Sequence, residues 1–220
     1  MKKTIAIMMA DLSGFTALTE IHGSEMAAYM ISKYVELVGS SLKGESFMLE
    51  RVGDQVVVIS PDPDHLAATA FALLENFRKE RHFLAIHAGL HYGEALEMTG
   101  HYYGAAINLT ARIAAKAKDG KILCSKDFID ALSNTEAFRS EYHRQVNFKN
   151  VLESKEIVEL LPVERSKGRD KSSCPVCQMQ LDENEKSFHF SYEGTSFYFC
   201  SEECREIFEK HQMYNLQLVS

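Results

Sequence analysis

The sequence predicts an α+β fold, an antiparallel sheet carrying helices on one face, followed by a small separate module. Three observations lead there. Short apolar runs alternate with helical periodicity through residues 1–163, in the order β-α-β-β-α-β with extra elements. A polar stretch at 164–173 then interrupts the pattern and reads as a linker. Four of the five cysteines, Cys174, Cys177, Cys200 and Cys204, fall beyond it.

Taken in order, Ile5 to Met9 is a continuous apolar run, suited to a strand covered on both faces. Met1-Lys2-Lys3 ahead of it imitates a short signal peptide, but the run reaches Asp11 without a cleavage site, so a buried first strand is expected. A helix is predicted over Ser24 to Leu42, with Ser24 as N-cap and Met26, Met30, Tyr34, Leu37 and Val38 at helical spacing. Phe47 to Val52 and Gln55 to Ile59 flank Gly53-Asp54, a hairpin signal because glycine supplies the positive φ of a two-residue turn. A helix near Asp64 to Arg81 follows, then strands at Phe83 to Leu90 and Ala95 to Met98. The next helix, Gly104 to Ala117, should stop at Asp119-Gly120. Strands at Ile122 to Cys124, Arg144 to Phe148 and Glu156 to Leu161, with a short helix at Lys126 to Leu132, complete a ferredoxin-like βαββαβ arrangement.

Charge narrows the function. Against 24 Lys plus Arg stand 31 Asp plus Glu, a net charge of -7, which argues against a nucleic-acid-coating protein or one bound to an anionic membrane. No run approaches the roughly 20 apolar residues of a membrane-spanning helix. We therefore expect no nucleic-acid partner and no membrane partner. The clustered cysteines read as a metal site in a reducing cytoplasm.

Some residues could carry chemistry. Asp11 ends the first strand and precedes Leu12-Ser13-Gly14-Phe15-Thr16, a turn into a helix whose free N–H groups suit a phosphate. Asp54 sits at the hairpin tip. If the first strand neighbours that hairpin, two carboxylates meet, and hard oxygen ligands beside a phosphate turn make a magnesium site. Taken alone, Asp11 or Ser13 is a helix cap and Gly-Asp a turn. Asn108 and Arg112 are four apart and share a helix face. Such a pair is ordinarily a solvated surface, although arginine is also well suited to spreading charge from a pentavalent phosphorus.

Three segments, Ala10 to Glu20, Val52-Gly53-Asp54 and His101 to Ala114, resemble in order and spacing the signatures of class III adenylate and guanylate cyclases, over essentially all of 1–163. The resemblance implies that Asp11 and Asp54 hold two Mg²⁺ or Mn²⁺ ions per active site, with the Leu12 carbonyl as a further ligand. It places Ser13, Gly14, Phe15 and Thr16 near the phosphates of ATP or GTP. It gives Asn108 the ribose, Arg112 the transition state and Lys149 the triphosphate. It also implies a homodimer, since in this family the acids and the Asn–Arg pair of one site come from different chains.

The base-reading positions depart from the pattern. Four residues before Asp54 stands Glu50 in place of the lysine of adenine-selecting relatives, and a carboxylate accepts from guanine N1–H and its 2-amino group. Three before Gly104 stands His101, which serves either purine depending on tautomer. The base stays open, with GTP slightly ahead. A catalytically silent regulatory module of the same fold, or a metal-responsive interaction protein, are the alternatives.

In the tail, Cys174-Pro175-Val176-Cys177 and Cys200-Ser201-Glu202-Glu203-Cys204 form two thiolate pairs separated by 22 residues, the pattern of a closed tetrahedral Zn²⁺ site. With Phe188 to Ser201 they resemble the YHS family of small metal-binding modules, implying a treble-clef-like zinc module over 174–220. That family usually has aspartate at the place of Cys174. His189 and His211 are possible substitute ligands.

Overall fold

The computed structural model describes residues 1–118, 120–134, 136–163, 172–181, 188–192 and 194–217. The predicted linker therefore lies outside the described residues except for Ser172 and Ser173. The chain divides into two compact units that do not follow sequence order. One takes Met1–Leu12, Val35–Phe77 and the segment from Ile86 through the end of the sheet. The other gathers Ser13–Tyr34, Arg78–Ala85 and the C-terminal module.

The first unit is built on one sheet. Strand β1 (Lys2–Leu12) lies between β3 (Gln55–Ser60) and β4 (Ile86–Met98), antiparallel to both. β2 (Phe47–Val52) forms one edge through the Gly53-Asp54 hairpin, with Gly53 at φ 63°. On the other side β6 (Ile122–Ser125) runs parallel to β4, then β8 (Lys155–Pro162) and the edge strand β7 (Phe138–Val146) follow, while β5 (His101–Tyr103) folds back on β4. Ile5 through Ala10 are all buried, and each aliphatic side chain taken out of water there contributes about 1.5–3 kcal/mol.

Helices cover both faces of the sheet, which corrects the one-face expectation. Met8, Ala88 and Ile122 line a small cavity with Ala70, Leu73 and Leu74 of α2 (Pro63–Lys79). Ile5, Ile7 and Met9, which alternate with Met8, pack with Ala106 and Ala114 of α3 (Ala105–Ala114). The unbroken burial of β1 requires this two-sided cover. Gly89 makes the close approach possible, because a Cβ there would stand 2.2 Å from the Ala114 nitrogen. The short α4 (Lys126–Ala131) is capped by the Ser125 hydroxyl.

Four boundaries differ from the sequence reading. Helical structure begins at Phe15, not Ser24, since α1 (Phe15–Ser41) contains two helical segments joined at Gly23, φ 79° and ψ 175°. β4 is one strand where two were expected. α3 ends at Ala114, before Asp119-Gly120. β7 starts at Phe138, six residues early; its polar, exposed edge sequence carries no apolar alternation.

In the second unit, the Cys174–Cys177 turn is closed by the Gln178 N–H donating to the Cys174 carbonyl (2.9 Å) and the Cys174 N–H donating to Met179 (2.8 Å). Met179 bridges Leu84, and the Gln180 N–H donates to the Phe83 carbonyl at 3.0 Å. The hairpin β9 (Phe188–Tyr192) and β10 (Thr195–Phe199) leads into α5 (Glu202–Gln217), whose Phe208 packs against Phe190, Phe197 and Phe199 with ring centroids 4.8 to 6.2 Å apart.

Candidate functional site

Asp11 and Asp54 converge. β1 pairs with β3 up to Ala10 opposite Val56, so Asp11 at the strand end comes beside Asp54 in the β2–β3 turn. The two carboxyl groups share a hydrogen bond, and the Leu12 N–H donates to Asp11 Oδ1 at 3.0 Å. Burial first, then the neighbouring Asp54 charge, raise the Asp11 carboxyl to about 6. Two half-buried carboxylates forced together, with hard oxygen donors and unfavourable like charge, form a donor set that fits a divalent cation.

Asn108 and Arg112 project from α3 on the side away from its buried Ala106, Leu109, Thr110, Ile113 and Ala114. Among the described residues, neither the carboxamide nor the guanidinium has a side-chain hydrogen bond or ion pair within the chain, so nothing links them to the acid pair. Phe148 and Val151 pack with Leu109 and Ile113, and the Val151 N–H donates to the Phe148 carbonyl (3.1 Å). That turn brings the exposed Lys149 next to the Asn–Arg helix. Glu50 is exposed on β2 opposite Val57, and His101 is exposed on β5 opposite Met98.

The turn at Ser13-Gly14 belongs to the second unit. The Ser13 N–H donates to Ala85 at 2.8 Å and the Leu18 N–H to Gly14 at 2.9 Å, opening the first segment of α1 with Phe15 half-buried and Thr16 exposed. Gly14 has φ +80°, and a Cβ on it would lie 2.7 Å from Gln178 Cβ and 2.8 Å from the Cys177 carbonyl.

The four tail cysteines meet around one point. Cys177 Sγ is 3.3 Å from Cys200 Sγ, and Cys200 Sγ is 3.6 Å from Cys204 Sγ. Cys174 lies within side-chain hydrogen-bonding reach of Cys177, Cys200 and Cys204. Sequence spacing did not reveal the fifth member. His22 Nε2 stands 3.6 Å from Cys200 Sγ and 3.7 Å from Cys204 Sγ, and the ligand atoms of His22, Cys177, Cys200 and Cys204 lie within 4.8 Å of one another. His22 and Cys200 are 178 residues apart, so no local motif joins them. His189 instead sits beside Tyr198, ring centroids 6.5 Å apart.

The family model "Adenylate and Guanylate cyclase catalytic domain" matches residues 1–160, and the YHS domain model matches 173–216. The chain is 26% identical over 132 residues to a pH-sensitive adenylate cyclase of Mycobacterium tuberculosis, covering 60% of this chain and 33% of that protein. It is 23% identical over 134 residues to an adenylate cyclase of Glutamicibacter nicotianae, covering 60% and 33%. It thus spans about a third of the length of these curated relatives. Among solved structures it shares its fold with the adenylyl cyclase CyaB from P. aeruginosa (TM-score 0.64, 19% identity, 75% of this chain and 97% of that one). The guanylyl cyclase Cya2 gives a TM-score of 0.62 at 19% identity, over 83% and 98%.

Proposed function

Because the chain belongs to the adenylate and guanylate cyclase catalytic-domain family, we propose that it is a homodimeric purine nucleotide cyclase, converting ATP or GTP to the 3′,5′-cyclic monophosphate and pyrophosphate. The observation that carries this reading is the convergence of Asp11, at the end of β1, and Asp54, in the β2–β3 turn, into one carboxylate pair. Asp11, Asp54 and the Leu12 carbonyl would hold two Mg²⁺ or Mn²⁺ ions, which when bound supply Lewis-acid charge to the phosphates and acidify the ribose 3′-hydroxyl. Ser13 to Thr16 cradle the phosphates. Arg112 neutralises charge growing on the α-phosphoryl oxygens as the 3′-oxygen attacks in line, Asn108 orients the ribose and Lys149 holds the triphosphate.

Among the described residues, the Asn108 and Arg112 side chains have no partner in their own chain, which supports a site completed by the second protomer. The exposed Leu96, Met98 and Tyr103 of the β4–β5 hairpin add apolar surface for such an association. Residues 1–163 would form the catalytic domain, 164–173 the linker and 174–220 the zinc module.

The test is turnover with each nucleotide and Mg²⁺ or Mn²⁺. Asp54→Ala and Arg112→Ala should each be inactive alone, and an equal mixture should recover about a quarter of wild-type activity, half the dimers being mixed with one complete site of two. No recovery despite heterodimer formation refutes the shared site. Glu50 favours GTP, so Glu50→Lys should move the kcat/KM preference toward ATP. His101 favours the second reading, a silent nucleotide-binding module; absence of cyclic product from both nucleotides would select it.

A further inference from the structure

Five donors surround a site where a tetrahedral ion takes four. Two tetrahedra can be drawn on the triangle of Cys177, Cys200 and Cys204, one closed by Cys174 and one by His22. With Zn–S about 2.3 Å and Zn–N about 2.0–2.1 Å, a tetrahedron has N–S edges of about 3.6 Å. The His22 Nε2 distances to Cys200 and Cys204, 3.6 and 3.7 Å, are those edges. His22 is only 12% exposed, and its other ring nitrogen, Nδ1, lies 3.9 Å from a Glu203 carboxylate oxygen. The Glu203 carboxylate thus lies on the side of the imidazole away from the thiolates, and Nε2 is the ring nitrogen that faces Cys200 and Cys204.

We infer that His22, Cys177, Cys200 and Cys204 form a composite Cys₃His site for zinc, with one ligand supplied by the N-terminal helix of the cyclase segment and Cys174 held beside the set. Such a site cannot close within the tail alone. It pins the helical segment that begins at the Ser13-Gly14 turn to the cysteine turn, and the same two segments already touch at Gly14. The proposal does not depend on catalytic turnover.

The decisive measurement is X-ray absorption on the full-length protein loaded with one equivalent of Zn²⁺. Three sulfurs at about 2.3 Å and one nitrogen at about 2.0–2.1 Å are expected; four sulfurs with no nitrogen, or no bound zinc, overturn the assignment. Titration with Co²⁺ gives an independent readout. His22→Ala should weaken binding by more than the roughly 10–100-fold that loss of a supporting partner costs. Cys174→Ser should keep tight binding. If instead Cys174→Ser abolishes binding while His22→Ala leaves affinity and spectrum unchanged, the composite site is wrong.

Discussion

Asp11 carries a proton that the unfolded chain would release much earlier. Its carboxyl moves from 3.8 to about 6 on folding, so the metal-free native state binds that proton more tightly than the unfolded state. The resulting stabilisation is complete below about pH 4 and is lost as pH rises through 6. Relative to Asp11→Asn, wild-type Tm measured in chelator should therefore fall between pH 4 and 7, and excess Mg²⁺ should reverse the loss above pH 6. Arg112 is the opposite case. Because its guanidinium has no partner among the described residues, Arg112→Ala should leave the urea midpoint nearly unchanged while lowering kcat by ~10²–10³. Asp11, Asp54 and the Asn108–Arg112 pair could be picked out of the sequence because each stands out locally: an acid ending a buried strand, a turn dipeptide, and a polar pair at helical spacing. His22 announces nothing. It is an isolated histidine on a helix, and its meaning comes from thiols 178 residues away brought to it by tertiary structure.

Elements were legible where burial sets the pattern and obscure where pairing overrides it. β1 could be read from its apolar run. β4 could not, because His91-Tyr92-Gly93-Glu94 looks like a break, yet eleven consecutive pairs with β1 carry the strand through it. Gly89 within that strand is where helix and sheet touch. Gly89→Ala would drive a methyl against the Ala114 backbone and should cost about 1–3 kcal/mol, read as a lowered urea midpoint. Gly23 controls α1 in another way. Its φ of 79° and ψ of 175° are open almost only to glycine, and a Cβ there meets nothing within 4 Å, so the penalty of about 1–3 kcal/mol is conformational rather than steric. Gly23→Ala should favour a continuous helix, re-aim His22 and weaken Co²⁺ binding with no cysteine altered.

The whole chain is organised by contact, not by sequence order. A polar stretch suggests a larger domain and a small module divided by a linker; by contact, Ser13–Tyr34 and Arg78–Ala85 group with the C-terminal module. Composition reveals a change of character along a chain; it carries no record of which earlier segments a later one will cover. Metal removal from the full-length protein should consequently speed amide exchange at 13–34 and 78–85 as well as in the tail, measured by mass spectrometry, whereas a self-contained tail would change alone.

The Met179 bridge to Leu84 bears on how this protein is shortened in the laboratory. Phe83 and Leu84 are 2% and 0% exposed, and the backbone beside them is hydrogen-bonded to residues past the polar stretch. Cutting the gene at that stretch would not simply remove a tail. It would leave a sticky apolar patch and unpaired peptide groups next to the segment that starts α1, so a truncated protein that clumps or falls silent would report damage to its fold rather than the loss of a regulator.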